Sequence, residues 1–326
     1  MDVKKDKKVV ILATGGTIAG VAGDISKPLH YASGQLSVNQ LTKTLETRGA
    51  QLVQEQVCNI DSKDMQFSHW QALLERCHFW LNQSEVTGLI LTHGTDTLEE
   101  TAFFLQMVLK PSKPIAMTCA MFPANVPQSD GPQNLQDALD WVLKTQENGL
   151  HLVCAGEVHD AVGVQKIFSD RSHAFASRQE ASLQTDQTDT YESKLDWPMP
   201  SVAQVLQTKH YPRVELIYNH SGADGQLVKN LLDAKKGAVS EASVGTKKTS
   251  ITQGLVIAGT GSGTISQDLL KVLEEAQKLG LWVARTSRCA YGVSDPDKHP
   301  SITSLHNLSP VQGRVAMILA LIAHAA

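Results

Sequence analysis

Lys8-Val9-Val10-Ile11-Leu12-Ala13-Thr14-Gly15-Gly16-Thr17 decides the fold. The run from Val9 to Ala13 is β-branched and aliphatic without a polar break, and it ends in a glycine turn. A strand that is apolar on both faces is one covered on both sides, as in a parallel sheet between helical layers.

The same pattern recurs along the chain. Gly88-Leu89-Ile90-Leu91-Thr92 leads into His93-Gly94-Thr95-Asp96-Thr97, and residues 98–109 then read as a helix. Asp96 or Thr97 stands where a cap belongs, and Glu99 and Glu100 favour the positive end of the helix dipole. Lys113-Pro114-Ile115-Ala116-Met117-Thr118 is a further strand with Ala120-Met121-Phe122-Pro123 as its exit loop. Residues 134–143 read as a helix and 151–155 as a strand. Strands and helices alternating at this spacing define an α/β doubly wound domain with a mainly parallel sheet.

Residues 177–211 lose this periodicity. They are rich in Gln, Asp, Ser and Thr and include Trp197-Pro198-Met199-Pro200, a composition of surface segments and a linker. A second α/β set follows: strands at 213–218, 254–258 and 281–285, helices at 225–234 and 266–278, and a final helix opened by Pro310, because proline suits the first helical turn. Residues 235–250, rich in Lys, Ser and Gly, read as a loop insertion. The expected architecture is a larger N-terminal catalytic domain over 1–185, a linker over 186–212 and a smaller C-terminal α/β domain over 213–326.

Composition narrows the function classes. The chain has 326 residues, 42% hydrophobic and 19% charged, with a net charge of −4, so no basic surface points to nucleic acid. No apolar run has the length to cross a bilayer. Cys58, Cys77, Cys119, Cys154 and Cys289 are too few and too scattered for a disulfide framework or a zinc site, and read as reduced core thiols. No signal-peptide pattern opens the sequence, so a cytoplasmic protein is expected, with a processed periplasmic form as the alternative. The histidines lack metal-binding spacing, and neither glycine loop has the lysine of a phosphate-binding loop or the spacing of a dinucleotide fingerprint. No metal is expected.

In an open α/β sheet the ligand sits beyond the carboxyl ends of the strands. The loops there carry Thr14 to Thr17, Ser62 to Asp64, Thr95 and Asp96, Ala120 to Pro123, and Gly259 to Gly263. A threonine hydroxyl on such a turn serves either as a helix cap or as a nucleophile awaiting a base. The residues alone leave both readings open. His93 is a candidate base or, more simply, a hydrogen-bonding residue at the strand end.

These motifs resemble those of the bacterial-type L-asparaginases, including the glutaminase-asparaginases. Ala13-Thr14-Gly15-Gly16-Thr17-Ile18-Ala19-Gly20 and Thr92-His93-Gly94-Thr95-Asp96-Thr97-Leu98-Glu99-Glu100-Thr101 carry the resemblance. Asn59-Ile60-Asp61-Ser62-Lys63-Asp64-Met65, Ala120-Met121-Phe122-Pro123, Asp130-Gly131-Pro132-Gln133-Asn134-Leu135 and Thr286-Ser287-Arg288 support it. The resemblance implies hydrolysis of L-asparagine to L-aspartate and ammonia through an acyl-enzyme on Thr17, with glutamine turnover or a non-catalytic amino-acid sensor as alternatives. It implies a lid over residues 21–35 that brings Tyr31 onto Thr17, and a second set of Thr95, Asp96 and Lys166. Ser62, Lys63, Thr95, Asp96 and Ala120 are implied in substrate binding, no cofactor is implied, and a homotetramer built from tight dimers is the implied assembly. Lys63, Phe122 and Ser262 depart from the residues frequent in the family, and the segment around Asp295 and Asp297 is shorter.

Overall fold

Strand β1 (Lys8–Gly15) is the hub of the first sheet. Val9, Val10, Ile11 and Leu12 are all fully buried, so both faces of β1 are covered, as the unbroken apolar run requires. The computed structural model describes residues 7–178, 197–240 and 251–325, and it divides into two compact units, Met1–Ala176 and Ser177–Ala326.

In the first unit β1 is followed by a 3-10 turn (Thr17–Ala19) and a short antiparallel hairpin, β2 (Val21–Ala22) and β3 (Tyr31–Ala32). Next come α1 (Val38–Leu41), β4 (Gln51–Ile60), α2 (Phe67–Leu81), β5 (Val86–Thr92), α3 (Leu98–Leu109), β6 (Pro114–Thr118), α4 (Gly131–Lys144), β7 (Gly149–Cys154) and β8 (Glu157–Asp160). Strand β9 (Val164–Lys166) pairs with β10 (Phe175–Ser177). The main sheet runs β4-β1-β5-β6-β7-β8, parallel except for the β7–β8 pair.

The chain moves outward from β1 to β4 and then returns past β1 to β5. That reversal of strand order places the ligand crevice at the carboxyl ends of β1 and β5. The register shift between Ala13 and Gly15 against β4 bends β1 there, where it delivers its loop. On one face of the sheet Val9, Ile11, Ile90 and Ala116 pack against Leu135, Ala138, Leu139 and Val142 of α4. Trp70 of α2 stacks on Phe104 of α3 at 4.8 Å, and its indole N–H donates to Thr101 Oγ1 at 2.9 Å.

The second unit holds α5 (Val202–Gln207), β11 (Arg213–Tyr218), α6 (Gln226–Ser240), β12 (Thr252–Gly259), α7 (Gln267–Lys278), β13 (Trp282–Ser287), β14 (Thr303–Ser304) and α8 (Pro310–His324). Its sheet, β11-β12-β13-β14, is wholly parallel. Leu255 and Ile257 face α6 and α7. Gly254 and Val256 face α8, where a Cβ on Gly254 would strike Met317 Sδ at 2.3 Å.

Several expectations change. Helix α6 runs through Lys235 to Ser240, so the first third of the expected loop insertion is helical; residues 241–250 lie outside the described residues. Part of the expected linker belongs to the second unit, because Trp197 meets Trp282 edge-on at 5.7 Å and Val205 of α5 is buried; residues 179–196 are outside the described residues. Cys77, Cys119 and Cys154 are core thiols, but Cys58 on the edge strand β4 is half-buried and Cys289, in the loop after β13, is exposed. No helix among the described residues is long and apolar enough to cross a membrane.

Candidate active site

The carboxyl ends of β4, β1, β5 and β6 lie side by side, and each hands a short segment to the crevice. The first carries Thr17, 5% exposed. The β4 exit carries Ser62, 2% exposed, and the β5 exit carries Thr95, 5% exposed, with Asp96 beside it. Ala120, on the β6 exit, is buried.

Glycine lets these segments close on one another. A Cβ on Gly16, whose φ is +79°, would lie 2.3 Å from Gly94 Cα, and one on Gly94 would lie 2.6 Å from Ser62 Oγ. The β1 and β5 exits therefore touch at their backbones, and the Ser62 side chain of the β4 exit packs against Gly94, so neither glycine tolerates a side chain. Gly16→Ala is expected to lower the free energy of unfolding by about 3 kcal/mol, since it adds both overpacking and left-handed strain. Gly23, with nothing within 4 Å of its would-be Cβ, is the control, and Gly23→Ala should stay within about 0.5 kcal/mol in the same urea titration.

Hydrogen bonds then fix the side chains. Thr17 Oγ1 is 2.6 Å from Tyr31 Oη, so the β2–β3 hairpin lies closed over the threonine. Lys166, the last residue of β9, donates to Thr95 Oγ1 at 2.8 Å and to Asp96 Oδ1 at 2.7 Å. Asp96 N–H donates to Ser62 Oγ at 3.2 Å. Thr14 takes no part in this set, because its hydroxyl is turned to Thr92 O at 2.9 Å and braces the turn. Thr97 stands at the N-cap of α3, yet its hydroxyl donates to Ser62 O at 2.8 Å instead of capping, so it ties two site loops together.

The structure thus joins Thr17 with Tyr31, and Thr95 with Asp96, Lys166 and Ser62. Lys63 stands apart: its ammonium pairs with Asp61 at 3.0 Å and Asp64 at 2.9 Å, and those partners raise its pKa, Asp64 foremost. Burial pushes the Asp61 carboxyl up, but hydrogen bonds from Lys63 and Ser33 outweigh it and hold that carboxyl below its ordinary value. The Ala120 loop is buttressed by Asp130, a residue of the family motif to which the sequence alone assigns no role. The Asp130 carboxylate accepts from Met121 N–H and Phe122 N–H, both at 3.0 Å to Oδ1, and Asn134 Nδ2 donates to Cys119 O at 3.0 Å. Its signal was an acid directly before the Gly-Pro that opens α4.

Among the described residues no group of three or more His, Cys, Asp or Glu side chains is placed to hold a metal ion. What the geometry offers is a buried hydroxyl beside a phenol, together with a second hydroxyl joined to an amine and a carboxylate. That is the equipment of nucleophilic acyl transfer.

Comparison with known proteins settles the family. Residues 8–198 match "Asparaginase, N-terminal", and residues 213–325 match "Glutaminase/Asparaginase C-terminal domain". The chain belongs to the asparaginase family. It is 32% identical over 329 residues to a probable periplasmic L-asparaginase of Haemophilus influenzae, spanning 96% of this chain and 88% of that protein. It is 30% identical over 331 residues to L-asparaginase 2 of Bacillus subtilis, spanning 98% and 84%. A crystal structure of a probable cytoplasmic L-asparaginase from Campylobacter jejuni superposes with a TM-score of 0.80 at 28% identity, covering 97% of this chain and 95% of that one.

In this asparaginase His93 is a structural residue. It is fully buried, with Nδ1 2.7 Å from Gly94 O, and burial pushes its pKa down to about 4. The folded state therefore keeps it neutral while the unfolded chain takes up a proton below the ordinary histidine value near 6.5. Stability from this group is complete above about pH 6.5 and is lost as pH falls toward 4, at about 1.4 kcal/mol per pH unit. Urea titrations of the wild type and His93→Gln across pH 7.5 to 4.5 check it: the variant should lack this part of the slope.

Proposed function

We propose that this chain hydrolyses the side-chain amide of L-asparagine, giving L-aspartate and ammonia through an acyl-enzyme on Thr17. The observation that carries the reading is the pairing of the buried Thr17 hydroxyl with Tyr31 at 2.6 Å, on a loop locked against the one bearing Thr95 and Asp96. Relatives named L-asparaginase in Haemophilus influenzae, Bacillus subtilis and Escherichia coli support the substrate.

The steps follow from the groups present. Asp96 receives the substrate's α-ammonium, and Ser62 holds its α-carboxylate. The Ala120 carbonyl accepts from the side-chain amide. Thr17 Oγ1 attacks the amide carbon while its proton passes to Tyr31 Oη, and the Tyr31 proton moves on to the leaving nitrogen. Ammonia departs and an ester remains on Thr17. A water attacks that ester with its proton guided by Thr95, itself held by Lys166, and aspartate and free Thr17 result. Lys63 reaches the carboxylate only by leaving Asp61 or Asp64, a weak exposed pairing that costs little to exchange.

A glutaminase-asparaginase reading has its own support in a 28% identical glutaminase-asparaginase of Pseudomonas fluorescens. One extra methylene changes binding by only about 1–3 kcal/mol, so the side activity depends on lid shape. A coupled ammonia assay with L-asparagine and L-glutamine tests both. Absence of ammonia from either, with an aspartate-induced thermal shift, would turn the reading to an amino-acid sensor.

The assembly we propose is a homotetramer of tight dimers, checked by light scattering on the eluting peak. The compartment we propose is the cytoplasm; all five cysteines are free, which suits a reducing compartment. Relatives are named for either side, periplasmic in Haemophilus influenzae and cytoplasmic in Campylobacter jejuni. Fractionation of the native host decides it.

A further inference from the structure

The loop that follows β6 carries a side chain with no role so far. Asn125 lies five residues beyond Ala120. Its Oδ1 accepts from Ala22 N–H at 2.8 Å, and its Nδ2 donates to Ala22 O at 2.8 Å. The neighbouring Ala124 N–H donates to Gly20 O at 2.9 Å. An amide side chain offers a donor and an acceptor side by side in one plane, so it pairs with a peptide unit much as another strand would. Asparagine in a loop ordinarily spends its side chain on backbone close in sequence. This one reaches across 103 positions.

The residue it grips matters. Ala22 is the register partner of Tyr31 in the β2–β3 hairpin, and Tyr31 Oη sits 2.6 Å from Thr17 Oγ1. The hairpin has two residues in each strand, far too few to hold a position alone. Its tip is solvent-exposed: Ile25 is 58% and Leu29 61% accessible. Docking must come from the base, and Asn125 holds the base at both polar groups of one residue.

We infer that Asn125 is the latch of the lid, a positioning residue that sets the closed state and, through Ala22, the placement of Tyr31 over Thr17. It also ties the lid to the segment that bears Ala120, so the wall facing the substrate amide and the cover over the nucleophile move as one. The inference deepens the amidohydrolase reading and relies on it only for its kinetic arm.

Hydrogen exchange on the substrate-free full-length protein tests the latch directly. Loss of two neutral hydrogen bonds raises the opening equilibrium about tenfold or more. In Asn125→Ala the peptide covering residues 20–36 should exchange about tenfold faster, while a peptide from β5 keeps its wild-type rate. Asn125→Asp keeps the acceptor but loses the donor, so it should move the same way and serves if the alanine variant folds poorly. In the ammonia assay, KM for L-asparagine should rise with kcat kept within about threefold, because a saturating substrate closes the lid by its own binding. Unchanged exchange in the lid, equal acceleration in β5, or a fall in kcat at constant KM would each overturn the latch. A wild type that releases no ammonia would instead sink the amidohydrolase reading, with the exchange result standing.

Discussion

Thr17→Ala is expected to lower kcat for ammonia release from L-asparagine by about 10⁴- to 10⁶-fold, the scale seen when an acyl-transfer enzyme loses its nucleophile. The loss should be purely chemical. Among the described residues the Thr17 hydroxyl makes one hydrogen bond, to Tyr31. Its backbone bond, Gly20 N–H to Thr17 O at 2.7 Å, survives the substitution. The melting temperature should therefore move by less than about 4 °C, and L-aspartate should still bind. Thr17→Ser keeps the oxygen and should retain measurable turnover. Stopped-time ammonia assays with calorimetric binding of aspartate separate the two effects. Turnover in Thr17→Ala near the wild-type rate would remove Thr17 from the mechanism.

Lys166→Met is expected to cost about 10²- to 10⁴-fold in kcat, the usual contribution of a positioned proton-handling group. Among the described residues the amine is the link between Thr95 Oγ1 and Asp96 Oδ1, and its side chain is 18% exposed. Removing it frees Thr95 to rotate and leaves Asp96, more than half exposed, to be solvated. Thr95→Ala should lose about as much. The double variant should be no worse than the worse single, because groups acting as one unit are not additive. Lys166→Arg should not rescue, since a planar fork cannot occupy the site of a compact ammonium. Full additivity in the double variant would show that Lys166 and Thr95 act independently.

The legible parts of the sequence were those with a strong local rule. The helix Leu98–Leu109 is legible at both ends, helped by its acidic first turn, and the start of the last helix, Pro310–His324, is legible from its N-terminal proline, although that helix stops short of the C-terminus. The central strands were equally plain, because burial on both faces leaves unbroken apolar runs. Strand β4 left no such mark: it lies at the sheet edge, half-buried, with Glu55 paired to Arg76 of α2. Helix α2 was legible in principle, since Phe67, Trp70, Leu73, Leu74 and Cys77 repeat at helical spacing. The β2–β3 hairpin is too short to carry any period.

For the site, the local motifs gave Thr17, Thr95 and Asp96, but Lys166 lies 70 positions from Asp96 and has no pattern of its own. Only the ending of β9 brings it in, so it was reachable through family resemblance and not through spacing. The Thr97 cap failed for a related reason. Its hydroxyl is turned to donate to Ser62 O, a residue 35 positions away that no local rule foresees, and it accepts from no N–H of the first turn.

The contact between Gly16 and Gly94 has a bearing on how this enzyme can change. Two of its walls are welded at the backbone, so they form a floor that cannot spread to admit a bulkier amide. The remaining wall, from Ala120 to Asn125, and the hairpin above it are held by side-chain hydrogen bonds that substitution can rewrite. Substrate range is thus adjustable from that wall and from the ceiling. A library aimed at longer amides belongs at Phe122, Ala124 and Asn125 and in the hairpin, with the two glycine turns left untouched.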